Sequence, residues 1–459
     1  MSRFPQNMHQ VFDRLPRRQI LEVSCLSTLG LSWPSLLRAQ RIAADGRGGD
    51  KFGQARSCII IFLWGGPGQQ DLWDPKPDAP AEQRGEFGPS QTVVPGTQIS
   101  DRLPYLCQQA DKFTIVRSVT HSDFEHGSAA YAALTGHPHP KPGTNTPAGP
   151  DDFPTYGAVV TKLRATSRPV PDAVVLGPVM HQGNRPPIAG QNAGFLGLGY
   201  EPFRSAGDPS RPDFEVGGLD VPADVTAARL DRRYRLLESL DEYPRRADAG
   251  RTLEGMSDLY ERAFGLLRSG QTRQAFEVGR EPSELRDRYG RNKFGQTLLL
   301  ARRLVQAEVP LITVNWSKQN RNQWDTHNNN YPRLRKLLPP FDQGLAAFFE
   351  DLQAQGLLET TLVVCLGEFG RTPKINKDAG RDHWPDCYSV LVGGGGIRTG
   401  MVFGSSNKYA AYPASNEVSP WDLSATLFHC LGISPKTHLH DSQGREFVVS
   451  PGRVIDGLL

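Results

Sequence analysis

Cysteine is scarce and scattered in this sequence. The chain has six cysteines among 459 residues, and no two of them have the Cys-x-x-Cys spacing of a zinc ribbon or a redox motif. Cys58 and Cys365 lie within short apolar runs, where a free cysteine behaves as a small hydrophobic residue. We therefore predict that the cysteines are packing residues and exclude a disulfide framework.

An excess of charge of either sign is also absent. The chain has 52 Lys plus Arg and 49 Asp plus Glu, which gives a formal net charge of +3. A protein that binds nucleic acid by displacing counterions from phosphates is usually far more basic. We expect no nucleic-acid partner.

Long hydrophobic runs are missing, which excludes a transmembrane anchor because a spanning helix needs roughly 18 or more apolar residues. Near the start of the chain, Arg17-Arg18 precedes a modestly apolar stretch from Val23 to Leu37. This pattern predicts a twin-arginine export signal over residues 1–40, with the export machinery as a partner and the periplasm or the extracellular space as the destination. The alternative is an exposed amphipathic arm, and no Ala-x-Ala cleavage site follows the stretch.

Three common catalytic and nucleotide-binding motifs are absent as well. The sequence has no Gly-Lys-Ser/Thr phosphate loop, no dinucleotide fingerprint and no Gly-x-Ser-x-Gly nucleophile elbow. The glycines around Gly65 and those at 393–396 are therefore interpreted as tight turns. The chain does contain 47 Gly and 37 Pro, which predicts a folded protein rich in loops.

Short apolar runs bounded by turn residues recur along the chain and are typical of strands buried on both faces. The runs are Ser57 to Trp64, Phe113 to Val119, Ala173 to Leu176, Leu311 to Trp316, Thr361 to Leu366 and Tyr388 to Val392. Amphipathic helices are predicted between them, over Phe294–Val305 and Phe341–Leu352, and a third begins at Ser419-Pro420. This alternation predicts an α/β fold with a mostly parallel sheet over residues 50–459, and residues 183–285 are predicted to form a helical insertion.

Candidate metal ligands follow or precede several of these runs. Trp324-Asp325-Thr326-His327 comes after one strand, and its Asp-x-His spacing points both side chains to the same side if the segment is extended. Imidazole and carboxylate together suit zinc, manganese or iron. The segments 367–373 and 380–385 also border strands, and the joint pattern favours a metal site over a set of capped turns.

A further polar segment, residues 117–128, contains His121 and His126 with two acids and three hydroxyl groups in its last nine residues. We predict that it supplies metal ligands or binds an anion, and the alternative is a polar loop with a helix cap.

At these motifs the chain resembles the alkaline phosphatase and sulfatase superfamily, and more closely the exported proteins of domain-of-unknown-function family 1501. The resemblance covers nearly the whole of the chain after the signal segment. It is carried by Trp64-Gly65-Gly66 with Asp71-Leu72-Trp73-Asp74-Pro75-Lys76, by Trp324-Asp325-Thr326-His327, by Gly367-Glu368-Phe369-Gly370-Arg371-Thr372-Pro373 and by Gly380-Arg381-Asp382-His383-Trp384-Pro385.

The resemblance implies an alkaline-phosphatase-like α/β/α sandwich that binds one or two divalent ions, with zinc or manganese expected. It implies Asp325, His327 and His383 as ligands of one ion, and Asp71 and Glu368 as ligands of a second. Two motifs depart from the superfamily: Asp-x-His replaces Asp-x-x-x-His, and Glu368-Phe369 stands where Asp-His is usual.

The nucleophile is not assigned by the resemblance. His126 lies ten residues before the glycine of Leu134-Thr135-Gly136, where sulfatases carry Cys or Ser. His126 is therefore the first catalytic candidate, His121 the second as a ligand or general acid, and Arg371 or Arg381 could clamp the anion. Thr120, Ser122 and Ser128 are alternative nucleophiles.

The sequence thus predicts an exported metal-dependent hydrolase of phosphate or sulfate esters, acting on a small-molecule or glycan ester. The alternative is a non-catalytic binding or surface protein built on the same scaffold.

Overall fold

An eight-stranded sheet forms the centre of the computed structural model, which describes residues 51–166, 168–217, 270–317 and 323–459 and five single positions between 229 and 236. The predicted signal segment 1–40 lies outside the described residues. In chain order the strands are β1 Ser57–Phe62, β2 Thr114–Val119, β3 Ala173–Leu176, β4 Phe203–Ser205, β5 Leu311–Asn315, β6 Thr361–Leu366, β7 Tyr388–Gly393 and β8 Met401–Phe403.

The sheet is mixed but mostly parallel, with the spatial order β8-β2-β7-β6-β1-β5-β3-β4. Seven strands share one direction, and β7 runs antiparallel to its neighbours β6 and β2. The segment that precedes β7 therefore lies at the same edge of the sheet as the segments that follow the parallel strands. This edge is where open α/β sheets bind ligands.

Seven helices of seven or more residues lie in the described part of the chain. They are α1 His126–Thr135, α2 Tyr156–Leu163, α3 Gly270–Phe276, α4 Ser283–Tyr289, α5 Lys293–Gln306, α6 Asn330–Ala354 and α7 Pro420–Cys430. Shorter helices span Gln69–Leu72, Ala81–Arg84 and Pro104–Cys107, and single 3-10 turns occur at Ala110–Lys112, Gly194–Leu196, Leu198–Tyr200, Val278–Arg280, Leu358–Thr360 and Asp456–Leu458.

Helices cover both faces of the sheet. Successive side chains of a strand point to opposite faces, so neighbouring residues of one strand join different cores. In β1, Ile59 and Ile61 join the core formed with α5 and α6, whereas Ile60 and Phe62 join the core formed with α1, α2 and α7. The structure is thus a three-layer α/β/α sandwich. The predicted α/β class with a mostly parallel sheet is confirmed, and all six predicted strands belong to this one sheet.

The helix boundaries follow local signals in the sequence. Ser419 caps α7, where its hydroxyl accepts from the Asp422 N–H and the Asp422 carboxylate accepts from the Ser419 N–H, which is a capping box. Asn292 caps α5 through the Gly295 N–H. After α6, Gly356 has φ +65°, a left-handed conformation that glycine adopts without steric cost.

The segment 183–285 is not helical throughout. Its residues Phe203–Ser205 form β4, which pairs in parallel with β3 at the edge of the main sheet. Helix α3 and the start of α4 fall near its end. Residues 218–269 lie outside the described part, apart from the five single positions, so the insertion as a whole stays a prediction.

Four two-stranded ladders lie outside the main sheet in the described part of the chain. They pair Pro89–Gln91 with Gln98–Ser100, Gly370–Arg371 with His383–Trp384, Ser405–Ser406 with Pro413–Ser415, and His438–His440 with Glu446–Val448. The five cysteines from Cys58 onward are buried and free of disulfide bonds, as predicted. In the described part, none of the helices combines the length and the apolar character needed to cross a bilayer.

Candidate metal centre

Side chains from three separate segments meet at the carboxyl edge of the sheet. His126 is the first residue of α1, which follows β2, and Asp325 and His327 lie between β5 and α6. His383 precedes β7, and the antiparallel direction of β7 brings that segment to the same edge. One ligand atom from each of the four residues lies within 4.8 Å of the others.

The three imidazoles surround one carboxylate oxygen. Asp325 Oδ1 lies 3.3 Å from His126 Nε2, 3.0 Å from His327 Nε2 and 3.4 Å from His383 Nε2. Zinc ligands at about 2.0–2.1 Å in a tetrahedron are separated from one another by about 3.3 Å. The three N···O distances therefore match the edges of a tetrahedral coordination shell.

Each imidazole is oriented by a hydrogen bond at its other nitrogen. The Nδ1 atoms of His126, His327 and His383 lie 2.5 Å from Glu368 Oε1, 2.7 Å from Asp382 Oδ1 and 2.7 Å from the Phe124 carbonyl oxygen. Because these acceptors require a proton on Nδ1, each Nε2 can either donate a second proton to Asp325 or present a lone pair to a bound ion. Such support of metal-binding histidines by carboxylates and carbonyls is typical of metal sites.

The converging Nε2 atoms could hold a metal ion. His327 Nε2 lies 2.9 Å from His383 Nε2, and neither can donate to the other when both protons sit on Nδ1. The buried His126 Nε2 has no hydrogen-bond partner. A divalent ion between these nitrogens and Asp325 would remove the repulsion, so the four residues fit a metal of the zinc type.

Arg371 fixes the Asp325 carboxylate. Its guanidinium is fully buried and donates to Asp325 Oδ1 at 2.6 Å and to the Gly66 and Arg381 carbonyl oxygens at 2.9 and 3.1 Å. Burial alone would raise the pKa of Asp325, but the three imidazoles and Arg371 together hold it well below its ordinary value. Asp325 is therefore a carboxylate in the folded protein.

Glu368 and Asp71, the predicted ligands of a second ion, each contact other protein groups. Glu368 is fully buried, accepts from the Gly65 N–H at 2.9 Å and supports His126. Asp71 forms a buried ion pair with Arg381 at 3.1 Å and accepts from Asn330 at 3.0 Å. The two carboxylates thus have different partners within the protein.

His121 lies behind the centre rather than in it. Its Nδ1 accepts from the Asp123 N–H at 3.0 Å, so its Nε2 donates to the Glu368 carbonyl oxygen at 2.8 Å. Burial lowers the pKa of His121, which agrees with a neutral ring. Ser128, one of the alternative nucleophiles, accepts from the Gly143 N–H at 3.1 Å. His121 thus fixes the loop before α1, and Ser128 holds the segment at Gly143 against α1.

The acceptors that orient the three imidazoles were not predicted from the sequence. Asp382 stands directly before a predicted ligand, yet no spacing rule indicates that it reaches His327 instead of solvent. The Phe124 carbonyl carries no side-chain signal at all. The pairing of Glu368 with His126 joins residues 242 positions apart and depends on the order of β2 and β6 in the sheet.

The centre is open to solvent on one side. The His327 side chain is 42% exposed and that of Asp325 is 21% exposed, whereas His126 is 1% exposed. Trp64 and Phe369 pack against the His126 ring, with ring centroids 5.2 and 4.9 Å away. A ligand from solution would therefore approach past His327.

Gly65 allows the Asp325 segment to lie against the end of β1. It has φ +118°, and a Cβ atom at this position would lie 2.5 Å from the Asp325 backbone nitrogen.

We expect Gly65→Ala to lower the free energy of unfolding by about 1–3 kcal/mol because the backbone at this position would be strained. The clash of the added Cβ atom with Asp325 should increase the loss further. Urea denaturation measures the loss. Gly96→Ala is the matched control, since Gly96 also has positive φ (+80°) but no atom within 4 Å of the added Cβ. Equal losses in the two variants would contradict the close approach.

Comparison with known proteins gives one decisive match. The family model described as "Protein of unknown function (DUF1501)" matches residues 55–459. The chain belongs to the DUF1501 family. The family assignment made from the sequence motifs is thereby confirmed, and no curated protein matches this DUF1501 chain.

Solved structures similar to this DUF1501 protein include enzymes of ester hydrolysis. A sulfatase from Pseudoalteromonas sp. is 13% identical with a TM-score of 0.37, over 85% of this chain and 70% of that chain. A phosphonate monoester hydrolase from Silicibacter pomeroyi is 14% identical with a TM-score of 0.36, over 87% and 75%. The C-terminal periplasmic domain of EcEptC from Escherichia coli, solved in complex with Zn, is 10% identical with a TM-score of 0.35, over 90% and 93%.

Proposed function

We propose that this protein is an exported metal-dependent hydrolase of phosphate or sulfate esters, with one divalent ion held by His126, Asp325, His327 and His383. The observation that carries the proposal is the convergence of three Nε2 atoms on one carboxylate oxygen at 3.0–3.4 Å.

The donor set favours zinc over the harder ions. Three imidazole nitrogens and one carboxylate oxygen suit zinc, whereas manganese and magnesium prefer shells richer in oxygen. We propose one ion rather than two, because Asp71 is engaged by Arg381 and Glu368 by His126 and Gly65.

The surrounding residues each have a defined part in this proposal. A bound divalent ion would polarise an ester oxygen and stabilise developing negative charge. Glu368 and Asp382 hold the His126 and His327 rings in the tautomer that leaves Nε2 free. Arg371 holds the Asp325 carboxylate, so we assign it to positioning instead of to clamping the substrate anion.

We assign His126 as a ligand and not as the nucleophile. Its Nδ1 is occupied by Glu368 and its Nε2 is directed at Asp325, so neither nitrogen faces solvent. Substrate would approach at His327, the most exposed of the four residues. Export to the periplasm or beyond rests on Arg17-Arg18 and the stretch after them, and a small-molecule or glycan ester is the proposed substrate.

A non-catalytic metal-binding protein is the second candidate. Four protein ligands fill the coordination shell of a tetrahedral zinc ion, as in structural sites, whereas catalytic sites usually keep one position for water. The occupied guanidinium of Arg371 also removes the nearest candidate for binding a substrate anion.

Turnover of aryl phosphates, phosphonates and sulfates by zinc-loaded protein separates the two candidates. The hydrolase is supported if zinc restores activity to chelator-treated protein and Asp325→Asn abolishes it. Asp111→Asn, which changes an exposed carboxylate paired with Lys112, is the matched control and should keep full activity. Zinc-loaded, folded protein that is inert towards all three ester classes would favour the binding protein.

Glu368→Gln tests the support of His126. Loss of such a supporting carboxylate typically weakens metal binding by about 10–100-fold, and we expect a decrease of that size. Competition with a coloured chelator measures the zinc affinity. The control is Glu359→Gln, an exposed glutamate, which should leave the affinity unchanged. An unchanged affinity in Glu368→Gln would show that this hydrogen bond does not act on the metal centre.

A further inference from the structure

One cationic side chain beside the centre has no acidic partner in the described part of the chain. Arg333 lies in the first turn of α6, and its guanidinium donates from Nη1 to the Asp325 carbonyl oxygen at 2.7 Å and from Nη2 to the Gln323 carbonyl oxygen at 3.3 Å. Both acceptors are neutral, and among the residues that the structure describes the guanidinium forms no ion pair. Its positive charge is therefore available to a ligand.

The other two arginines near the centre are already paired. Arg371 donates to the Asp325 carboxylate, and Arg381 forms an ion pair with a buried carboxylate, with both guanidinium groups fully buried themselves. Arg333 differs because it is only half-buried, as Asp325 and His327 are. Of these three arginines it is the one that a solute at the open side of the centre can reach.

Arg333 lies within a short distance of the metal-binding atoms. The Asp325 carbonyl and carboxylate belong to one residue, so the guanidinium is no more than about 9 Å from Asp325 Oδ1. Burial lowers the pKa of Arg333, while the Asp325 carboxylate raises it and the Arg371 guanidinium lowers it. Both groups of the centre therefore act electrostatically on Arg333.

We propose that Arg333 binds the anionic oxygens of the substrate, an inference that rests on the function proposed above and adds to it the residue that recognises the phosphoryl or sulfuryl group. A guanidinium presents several N–H groups in a planar fork that matches phosphate oxygens, and the two carbonyls leave some of them free to donate. The same two contacts hold the fork in place before a ligand arrives, so less side-chain freedom is lost on binding. The site therefore selects anionic esters over uncharged ones.

Binding of inorganic phosphate to zinc-loaded protein tests Arg333 without requiring turnover. Isothermal titration should show phosphate binding about 10–100-fold weaker in Arg333→Met than in the wild type, because charge-assisted hydrogen bonds are lost. Arg333→Lys keeps the charge without the fork, and its affinity is expected to lie between the two. Arg335→Met removes an exposed arginine that pairs with Glu86, and this control should bind phosphate as the wild type does.

Zinc affinity, measured by competition with a coloured chelator, shows whether Arg333 acts on the anion or on the metal ligands. The proposal requires that Arg333→Met bind zinc as the wild type does. Loss of phosphate binding that follows loss of zinc would show that Arg333 only holds the Asp325 segment, and would overturn the proposal. An unchanged phosphate affinity in Arg333→Met, or wild-type protein that binds no phosphate, would also overturn it. If Arg333→Met does not fold, Arg333→Lys decides the question by the same two measurements.

Turnover separates this inference from the proposed hydrolase. Protein that binds phosphate through Arg333 but hydrolyses no ester contradicts the hydrolase and leaves the anion site in place. Hydrolysis of aryl phosphates with kcat/KM unchanged in Arg333→Met has the opposite meaning, since the hydrolase then stands without this anion site.

Discussion

Asp325→Asn protein is expected to fold and to lose both the metal of its centre and all metal-dependent turnover. Asp325 provides the one carboxylate among the four converging ligands, and three imidazoles lie 3.0–3.4 Å from its Oδ1. Removal of a supporting hydrogen bond typically lowers metal affinity by about 10–100-fold, and the decrease in Asp325→Asn should be larger. Elemental analysis after gel filtration, together with the aryl ester assay, measures both losses.

A second variant, His383→Gln, controls for the contact between Asp325 and Arg371. In Asp325→Asn the asparagine oxygen can still accept from the Arg371 guanidinium, and circular dichroism reports whether the fold is retained. His383→Gln removes a different ligand and leaves that contact intact, so it should show the same loss of metal. If either folded variant keeps wild-type zinc affinity, the four residues do not form the metal centre.

Arg381→Met is expected to lower the free energy of unfolding by about 3–5 kcal/mol, because it leaves a buried carboxylate without its partner. Arg381 and Asp71 are both fully buried, and the guanidinium also donates to the carbonyl oxygens of Thr372 and Gln83. Urea denaturation measures the change.

Arg335→Met is the matched control for this ion pair. Arg335 pairs with Glu86 at the surface, where such pairs contribute only about 0–1 kcal/mol. Asp71→Asn combined with Arg381→Met should recover part of the stability, since no charge then remains unpaired. A loss below about 1 kcal/mol in Arg381→Met would indicate that Asp71 is not held as a buried charge, and would leave it available as a ligand.

The central strands were predictable because they are buried on both faces. The strands Ala173–Leu176 and Thr361–Leu366 have the predicted ends, since each apolar run follows a polar residue and is followed by a glycine. The strands Phe203–Ser205 and Met401–Phe403 were missed. Both are three-residue edge strands with partly exposed side chains, so their sequences carry neither a long apolar run nor a clear alternation.

The candidate site was predictable only in its outline. Residue type and position after a strand pointed to Asp325, His327 and His383, and the structure brings these three together with His126. The same reasoning placed Asp71 and Glu368 in a second set. In the structure Asp71 contacts Arg381, which lies 310 positions away, and a contact between residues so distant in the sequence carries no local signal.

Anomalous X-ray diffraction at the zinc edge, from crystals of protein loaded with Zn²⁺, tests the central claim most directly. A single metal between Asp325 Oδ1 and the Nε2 atoms of His126, His327 and His383, at about 2.0–2.2 Å from each, is the result that we predict for this edge of the sheet. Density without an anomalous peak among these atoms, with the imidazoles turned to other partners, would contradict the metal centre and the function proposed from it.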